Sequence, residues 1–160
     1  MTKKIHPVTR ALEMVCGLLL AVMAVLLFTQ VAARYLLSSP PEWTEELARI
    51  VFVYVTYIGA AVAIARQAHL KIDLLPMALP PKARSILRIC WLVAAIAFLA
   101  VVLYQSEILV TRLSHQPLTA LPVSKAWFFA AVPVGCALML LYEIAELVGE
   151  VRLLRGGTRS

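Results

Sequence analysis

Charged residues are scarce in this chain of 160 residues, and its long apolar runs contain almost none. Only 15% of the residues are Asp, Glu, Lys or Arg, whereas 62% are hydrophobic and the mean hydropathy is +0.87. An ordinary soluble domain is about half apolar and about one quarter charged. The composition therefore excludes a soluble domain and predicts an integral membrane protein.

Residues that hold cofactors are also few. The three histidines lie outside the apolar runs, so paired axial ligands for a haem at membrane depth are missing. Cys16, Cys90 and Cys136 are single residues within apolar runs, without the spacing of a thiol oxidoreductase. His69 and Asp73 lie four residues apart, but two ligands make an incomplete metal site. From the sequence we expect no metal site, no cofactor site and no enzymatic activity.

Four apolar runs are long enough to cross a bilayer as helices, and they are predicted at 12–37, 47–65, 86–109 and 127–147. About 20 residues, rising about 1.5 Å each, cover some 30 Å of hydrocarbon. The runs are apolar all round, which excludes barrel strands with a period of two. The first run is longer than a signal-peptide core, so it is expected to be a retained span. The prediction is an all-α integral membrane protein, with one four-helix domain over residues 1–160.

Positive charge is concentrated in three segments of the chain. Eleven of the fifteen Lys and Arg residues lie in the first ten residues, in residues 66–88 and in the last nine. Four spans place these segments on one side, so the positive-inside rule predicts that both termini are cytoplasmic. The net charge of +6 is then a topology signal, with attraction to membrane lipids as a second effect and no nucleic-acid partner.

The loop between the second and third spans mixes basic and apolar residues. Prolines at 76, 80 and 81 exclude one continuous helix there. A short amphipathic segment that contains His69 and Asp73 is therefore predicted in the membrane interface.

Polar residues gather where the first span ends and the second helix begins. The group comprises Gln30, Arg34, Trp43, Glu45, Glu46 and Arg49. Arg34 ends the first span and Glu45 or Glu46 begins the second helix, so an ion pair is expected to join the two helices. Glu45 and Arg49 have the favourable i, i+4 order. Contact of the same residues with a partner protein, or extension of each side chain to water, are the alternatives.

Small residues and a proline mark two further positions. Gly59 and Ala63 are four residues apart in the second span, a spacing that lets helix backbones approach closely in lipid. Pro133 and Gly135 are expected to kink the fourth helix or to free a carbonyl oxygen.

The middle of every predicted span lacks an ionisable residue. Transport paths usually carry one near the bilayer midplane, so this chain alone is predicted to be neither the pump nor the channel. Glu13, near the start of the first span, is the one carboxylate there that a multidrug-type exporter would use. Glu143, Glu146 and Glu150 share one helical face, which is expected to meet solvent or lipid headgroups, with an ion pair to another helix or a contact with a partner protein as the alternatives.

Three stretches carry a resemblance to known membrane proteins. They read QVAARY, PEWTEELARIVFVYVTYIGAAVAIARQAHLKIDLL and LPVSKAWFFAAVPVGCALM, and they extend over residues 30–139. Together with the four spans they resemble the DctQ-like small membrane subunit of tripartite ATP-independent periplasmic (TRAP) transporters.

The resemblance implies a non-catalytic scaffold subunit of a sodium-driven secondary transporter in a bacterial inner membrane. A large multi-span transport subunit would hold the substrate and sodium sites, and a periplasmic substrate-binding protein would deliver an organic acid. This chain would brace the large subunit and help to dock the binding protein. The alternative is a self-sufficient small multidrug-type exporter that acts as a homo-oligomer. A four-span membrane enzyme ranks lower, because no nucleophile, metal cluster or cofactor ligand set is present.

Overall fold

The described residues of the computed structural model, 7–36, 42–66 and 81–156, are almost all helical. The helices are α1 (Pro7–Leu36), α2 (Glu42–Ala65), α3 (Pro81–Leu113), the short α4 (Ala126–Phe129) and α5 (Ala131–Gly156). Four segments are long and apolar enough to cross a membrane, namely Val8–Leu36, Glu42–Ala65, Ser85–Leu113 and Ala126–Arg152. The predicted all-α protein with four spans is confirmed. The predicted interfacial segment with His69 and Asp73 lies outside the described residues.

One narrow stripe of α1 packs against α2. Its least exposed positions recur every three or four residues. They are Thr9, Leu12, Cys16, Leu19, Met23, Leu26, Gln30 and Ala33. This spacing averages about 3.5 residues, which keeps one face of a helix against its neighbour along its whole length. The remaining surface of α1 is exposed and almost entirely apolar.

The long helices lie side by side in the order α1, α2, α5, α3. Helix α2 packs against α1 and α5, and α3 packs against α5. A buried core lies between α2, α5 and α3, and it consists of Ala61, Ile64, Leu99, Cys136 and Met139. Helices α1 and α3 are therefore the two edges of the array.

The array has two ends because successive helices run in opposite directions. We call the end at which α1 and α3 begin the tail end, and the opposite end the loop end. At the tail end the hydroxyl groups of Thr9 and Tyr142 are hydrogen-bonded at 3.2 Å, which joins α1 directly to α5.

The fourth span consists of α4 and α5, with Ala130 between them. Pro133 has no backbone N–H, so the carbonyl of Phe129 lacks the hydrogen bond that a regular helix would supply. The N–H of Val134 still donates to the carbonyl of Ala130 at 3.3 Å, and the chain continues as α5. Ala130 itself has helical dihedral angles (φ −62°, ψ −21°), so the fourth span stays helical across this point, and the kink expected at Pro133 and Gly135 stays a prediction.

At Gly135 the backbone of α5 lies close to α2. A Cβ atom built on Gly135 would overlap the Cβ of Tyr57. Gly59, for which the sequence predicts close packing with Ala63, has more room, since a Cβ there would lie 3.8 Å from the Sγ of Cys16. The Cys16 side chain fills the space between α1 and α2 at this level. The contact at Gly135 is tighter than the one at Gly59, and close packing through Gly59 and Ala63 stays a prediction.

Gly135→Ala is expected to destabilise the chain, because its methyl group meets the Tyr57 side chain. Overpacking of this kind costs about 1–3 kcal/mol. Thermal unfolding in mild detergent, followed by circular dichroism, measures the loss. Gly149→Ala is the matched control in the same helix, since nothing lies within 4 Å of its Cβ position and Ala favours helix. Equal melting temperatures for the two variants would contradict the close approach.

Candidate functional site

Charged side chains make their contacts at the two ends of the array. In the described part of the chain, ion pairs join Glu13 to Arg66, Arg88 to both Glu146 and Glu150, and Glu45 to Arg49. The same part contains no group of three His, Cys, Asp or Glu residues that could hold a metal ion. The arrangement of these charges supports contacts between helices and with other molecules at the membrane surfaces.

Glu13 and Arg66 join α1 to α2 at the tail end. The Nε of Arg66 donates to Oε1 of Glu13 at 2.5 Å. This hydrogen bond raises the pKa of the Arg66 guanidinium above its ordinary value. The carboxylate that the exporter hypothesis requires is therefore already paired with a cation of the neighbouring helix.

Arg88 joins α3 to α5 at the same end. Its Nη2 donates to Oε1 of Glu146 at 2.5 Å, and its Nη1 lies 3.4 Å from Oε2 of Glu150. The side chains of Glu146 and Glu150 are only 21% and 13% exposed, and Glu143 is buried. For Glu146 and Glu150 the structure therefore shows the alternative, an ion pair to another helix, and not a face that is open to solvent or headgroups. One guanidinium reaches both carboxylates because they lie one helical turn apart.

A hairpin-like loop, residues 116–125, connects α3 to α4 at the loop end. The N–H of Leu118 donates to the carbonyl of Val123, and the N–H of Lys125 donates to the carbonyl of Gln116, both at 2.8 Å. These two bonds hold the sides of the loop together. These two bonds do not involve the backbone N–H groups at the tip of the loop, which therefore need acceptors outside it.

Glu46 of α2 supplies those acceptors. Its Oε1 accepts from the N–H of Thr119 at 2.8 Å, and its Oε2 accepts from the N–H groups of Ala120 and Leu121, each at 2.9 Å. Successive N–H groups that point to one side form a concave site for an anion. One carboxylate therefore fastens the whole hairpin to the start of α2.

Glu45 and Arg34 do not form the predicted pair. Glu45 accepts from Arg49 on its own helix at 2.9 Å, and both side chains are more than half exposed, so this pair adds little stability. Glu46 is occupied by the hairpin. Among the described residues, Arg34 has no ion pair and lines a shallow depression with Gln30 and Glu45. An ion pair between α1 and α2 does form, but at the tail end.

The other predicted members of this group lie nearby. Trp43 is about half exposed at the start of α2. Glu45 and Arg49 also line a second depression, together with Glu46 and the hairpin tip. Contact of the group with a partner protein stays a prediction.

The match to a protein family covers most of the chain. Residues 23–153 match the family described as tripartite ATP-independent periplasmic transporters, DctQ component. This chain belongs to the DctQ family. The resemblance stated from the sequence motifs is thereby confirmed. The DctQ subunit is a component of a transporter and a multi-pass membrane protein.

Similar proteins include small and much longer permeases. The sialic acid TRAP transporter small permease protein SiaQ of Vibrio cholerae is 30% identical over 148 residues, which cover 92% of the DctQ subunit and 86% of SiaQ. The sialic acid TRAP transporter permease protein SiaT of Haemophilus influenzae is 35% identical over 72% of the subunit, but only 19% of SiaT is covered. The isethionate TRAP transporter permease protein DctMQ of Oleidesulfovibrio alaskensis is 29% identical over 69% of the subunit and 18% of DctMQ. The long permeases imply that the DctQ subunit has a large transport subunit as its partner.

Glu46→Gln is expected to loosen the hairpin, because an amide keeps one acceptor oxygen and turns an NH₂ group toward backbone donors. Hydrogen exchange at Thr119, Ala120 and Leu121 should become faster by about tenfold. Mass spectrometry of the peptic fragments measures this rate. Glu45→Gln is the matched control, since Glu45 accepts its hydrogen bond from Arg49 on the same helix and none from the hairpin. Unchanged exchange in Glu46→Gln would show that the carboxylate does not hold the loop.

Glu13→Arg should lower the melting temperature in detergent, because it places two cations together at the tail end of α1 and α2. Arg66→Glu should do the same with two carboxylates. Combining the two changes restores opposite charges and should recover at least about half of the summed loss. Simple additivity in this double-mutant cycle would argue against the ion pair.

Proposed function

We propose that this DctQ subunit is the non-catalytic scaffold of a sodium-driven, binding-protein-dependent secondary transporter that imports an organic acid. It lies in a bacterial inner membrane with its tail end and both termini in the cytoplasm. It braces the large transport subunit, and its loop end helps to dock the periplasmic binding protein. The positive-inside rule supports this orientation, since Arg10, Arg66 and Arg88 lie at the tail end.

The observation that carries the proposal is the open row of helices. Large apolar side chains are exposed along both edges, including Phe28 on α1 and Trp91 and Phe98 on α3. Charged residues make their contacts at the ends. In lipid such a surface associates with other helices through close packing and a few polar contacts. This arrangement suits a subunit that supports a larger neighbour in the bilayer.

The loop end supports a role in docking. Glu46 fixes the hairpin against α2, so the hairpin is preorganised before any partner arrives. Trp43 and Trp127 are exposed near this end. Rigid, exposed aromatic residues beside a fixed loop favour contact with a soluble partner, since aromatic side chains are enriched in interfaces.

The names of similar proteins support the substrate class. Sialic acid is named for SiaQ and SiaT, and isethionate is named for DctMQ. Both compounds are organic anions. We extend the class, an organic acid, to the transporter that contains this chain.

Uptake measured in cells tests the proposal. A strain that produces the large subunit and the binding protein should lose sodium-dependent uptake of the organic acid when this chain is omitted, because the large subunit is left without its brace. Expression of the chain from a plasmid should restore uptake. The amount of large subunit in the membrane serves as the control. Full uptake without the chain would overturn the proposed role.

A further inference from the structure

A groove between α1 and α2 at the loop end holds polar side chains with unused hydrogen-bonding groups. Gln30, Val31 and Arg34 of α1 line it together with Glu45 of α2, and we call it the α1–α2 groove. Among the described residues, neither Gln30 nor Arg34 has a hydrogen-bond or ion-pair partner. A guanidinium offers five N–H donors and a glutamine amide offers two. The groove therefore presents donors at the edge of the membrane that lack acceptors in the described part of the chain.

The charge of the groove favours an anionic or carbonyl-bearing partner. Glu45 already accepts from Arg49, so these two charges cancel locally. Arg34 remains as the uncompensated charge among the residues that line the groove. Near a helix end the Arg34 guanidinium can extend to water, whereas a carboxylate or carbonyl of a neighbouring protein would hold it in one position through charge-assisted hydrogen bonds.

An exposed stripe of α1 continues from the groove into the membrane. It consists of Leu20, Ala24, Leu27, Val31 and Arg34, which recur every three or four residues beside the stripe that packs on α2. On α2, Phe52 is 56% exposed and lies two turns after Glu45 on the same face. Both helices thus have exposed apolar surface below the polar groove, and another membrane helix can pack against such a surface.

The opposite flank of α1 has a different character. Its exposed residues there are Val15, Leu18, Val22, Val25 and Thr29. The hydroxyl of Thr29 donates to the carbonyl of Val25 at 2.8 Å, so it is satisfied within the helix. This flank needs only lipid tails around it. Polar groups without a partner among the described residues therefore lie on the groove side of α1 and not on its opposite flank.

We propose that the large transport subunit packs into the α1–α2 groove, where one of its carboxylates or unpaired helix-end carbonyls accepts hydrogen bonds from Arg34 and Gln30. The inference rests on the proposed function, since it assigns a surface to the partner named there. A helix of the large subunit lies along the α1 stripe. Lipid phosphate and a second copy of this chain are the competing occupants.

Photo-crosslinking in the complete transporter distinguishes the two flanks. Val31→p-benzoylphenylalanine places a reactive group in the groove, and Val25→p-benzoylphenylalanine places it on the opposite flank of the same helix. Both valines are more than half exposed. Position 31 should capture the large subunit several times more strongly than position 25. Equal capture at the two positions, or capture of only lipid or a second copy at position 31, would overturn the inference.

Retention of the large subunit supplies the second readout. Arg34→Ala should lower the amount that co-purifies with tagged chain in mild detergent by roughly tenfold or more, as expected for losing hydrogen bonds to a charged group. Arg112→Ala is the control, because Arg112 is an exposed arginine at the same end, on α3. Equal retention by Arg34→Ala and the unmodified chain would overturn the inference alone. Failure of the unmodified chain to retain any large subunit would overturn the proposed function as well.

Discussion

Close packing of α2 against α5 joins the two halves of the array, and it is possible because Gly135 has no side chain. Ion pairs join α1 to α2 and α3 to α5, but the α2–α5 contact has no ion pair among the described residues. The backbone of α5 instead approaches Tyr57 closely, and Ala61 and Cys136 are almost fully buried beside this contact. Lipid provides no hydrophobic force between helices, so closeness of packing must supply the attraction. The two halves of the array meet through this packed surface, together with the Thr9–Tyr142 hydrogen bond at the tail end and the Glu46–hairpin contact at the loop end.

The spans were predictable from sequence, whereas the partners of the charges mostly were not. A span depends on a local run of apolar residues, which one sequence shows directly. Glu45 and Glu46 are adjacent and chemically alike, yet one pairs within its helix and the other binds a hairpin more than 70 residues away. Glu13 and Arg66 offered a usable signal, because opposite charges lie at the same end of two consecutive antiparallel helices. Gly135 was singled out beside Pro133, but its role depends on the position of Tyr57, which no local pattern reveals.

Charged side chains at the ends of the helices and apolar side chains along their middles have different roles. Apolar side chains on α1 and α3 make the subunit stable in the bilayer, but they hardly discriminate between lipid tails and another apolar helix. Polar groups that lie at the ends of the helices can discriminate, because they require partners in defined positions. Glu46 meets this requirement within the chain, through the hairpin. Arg34 and Gln30 have no such partner among the described residues.

The order of the helices also has a consequence for biosynthesis. Helices α1 and α2 are neighbours in the chain and in space, so they can pair as a helical hairpin as soon as both have left the ribosome. Helix α3 follows them, but its packing partner is α5, which is made later and lies between α2 and α3. Until α5 is inserted, α3 lies in the bilayer without its final packing partner. The core around Cys136 and Leu99 therefore closes only when the last span is inserted between two helices that are already in place.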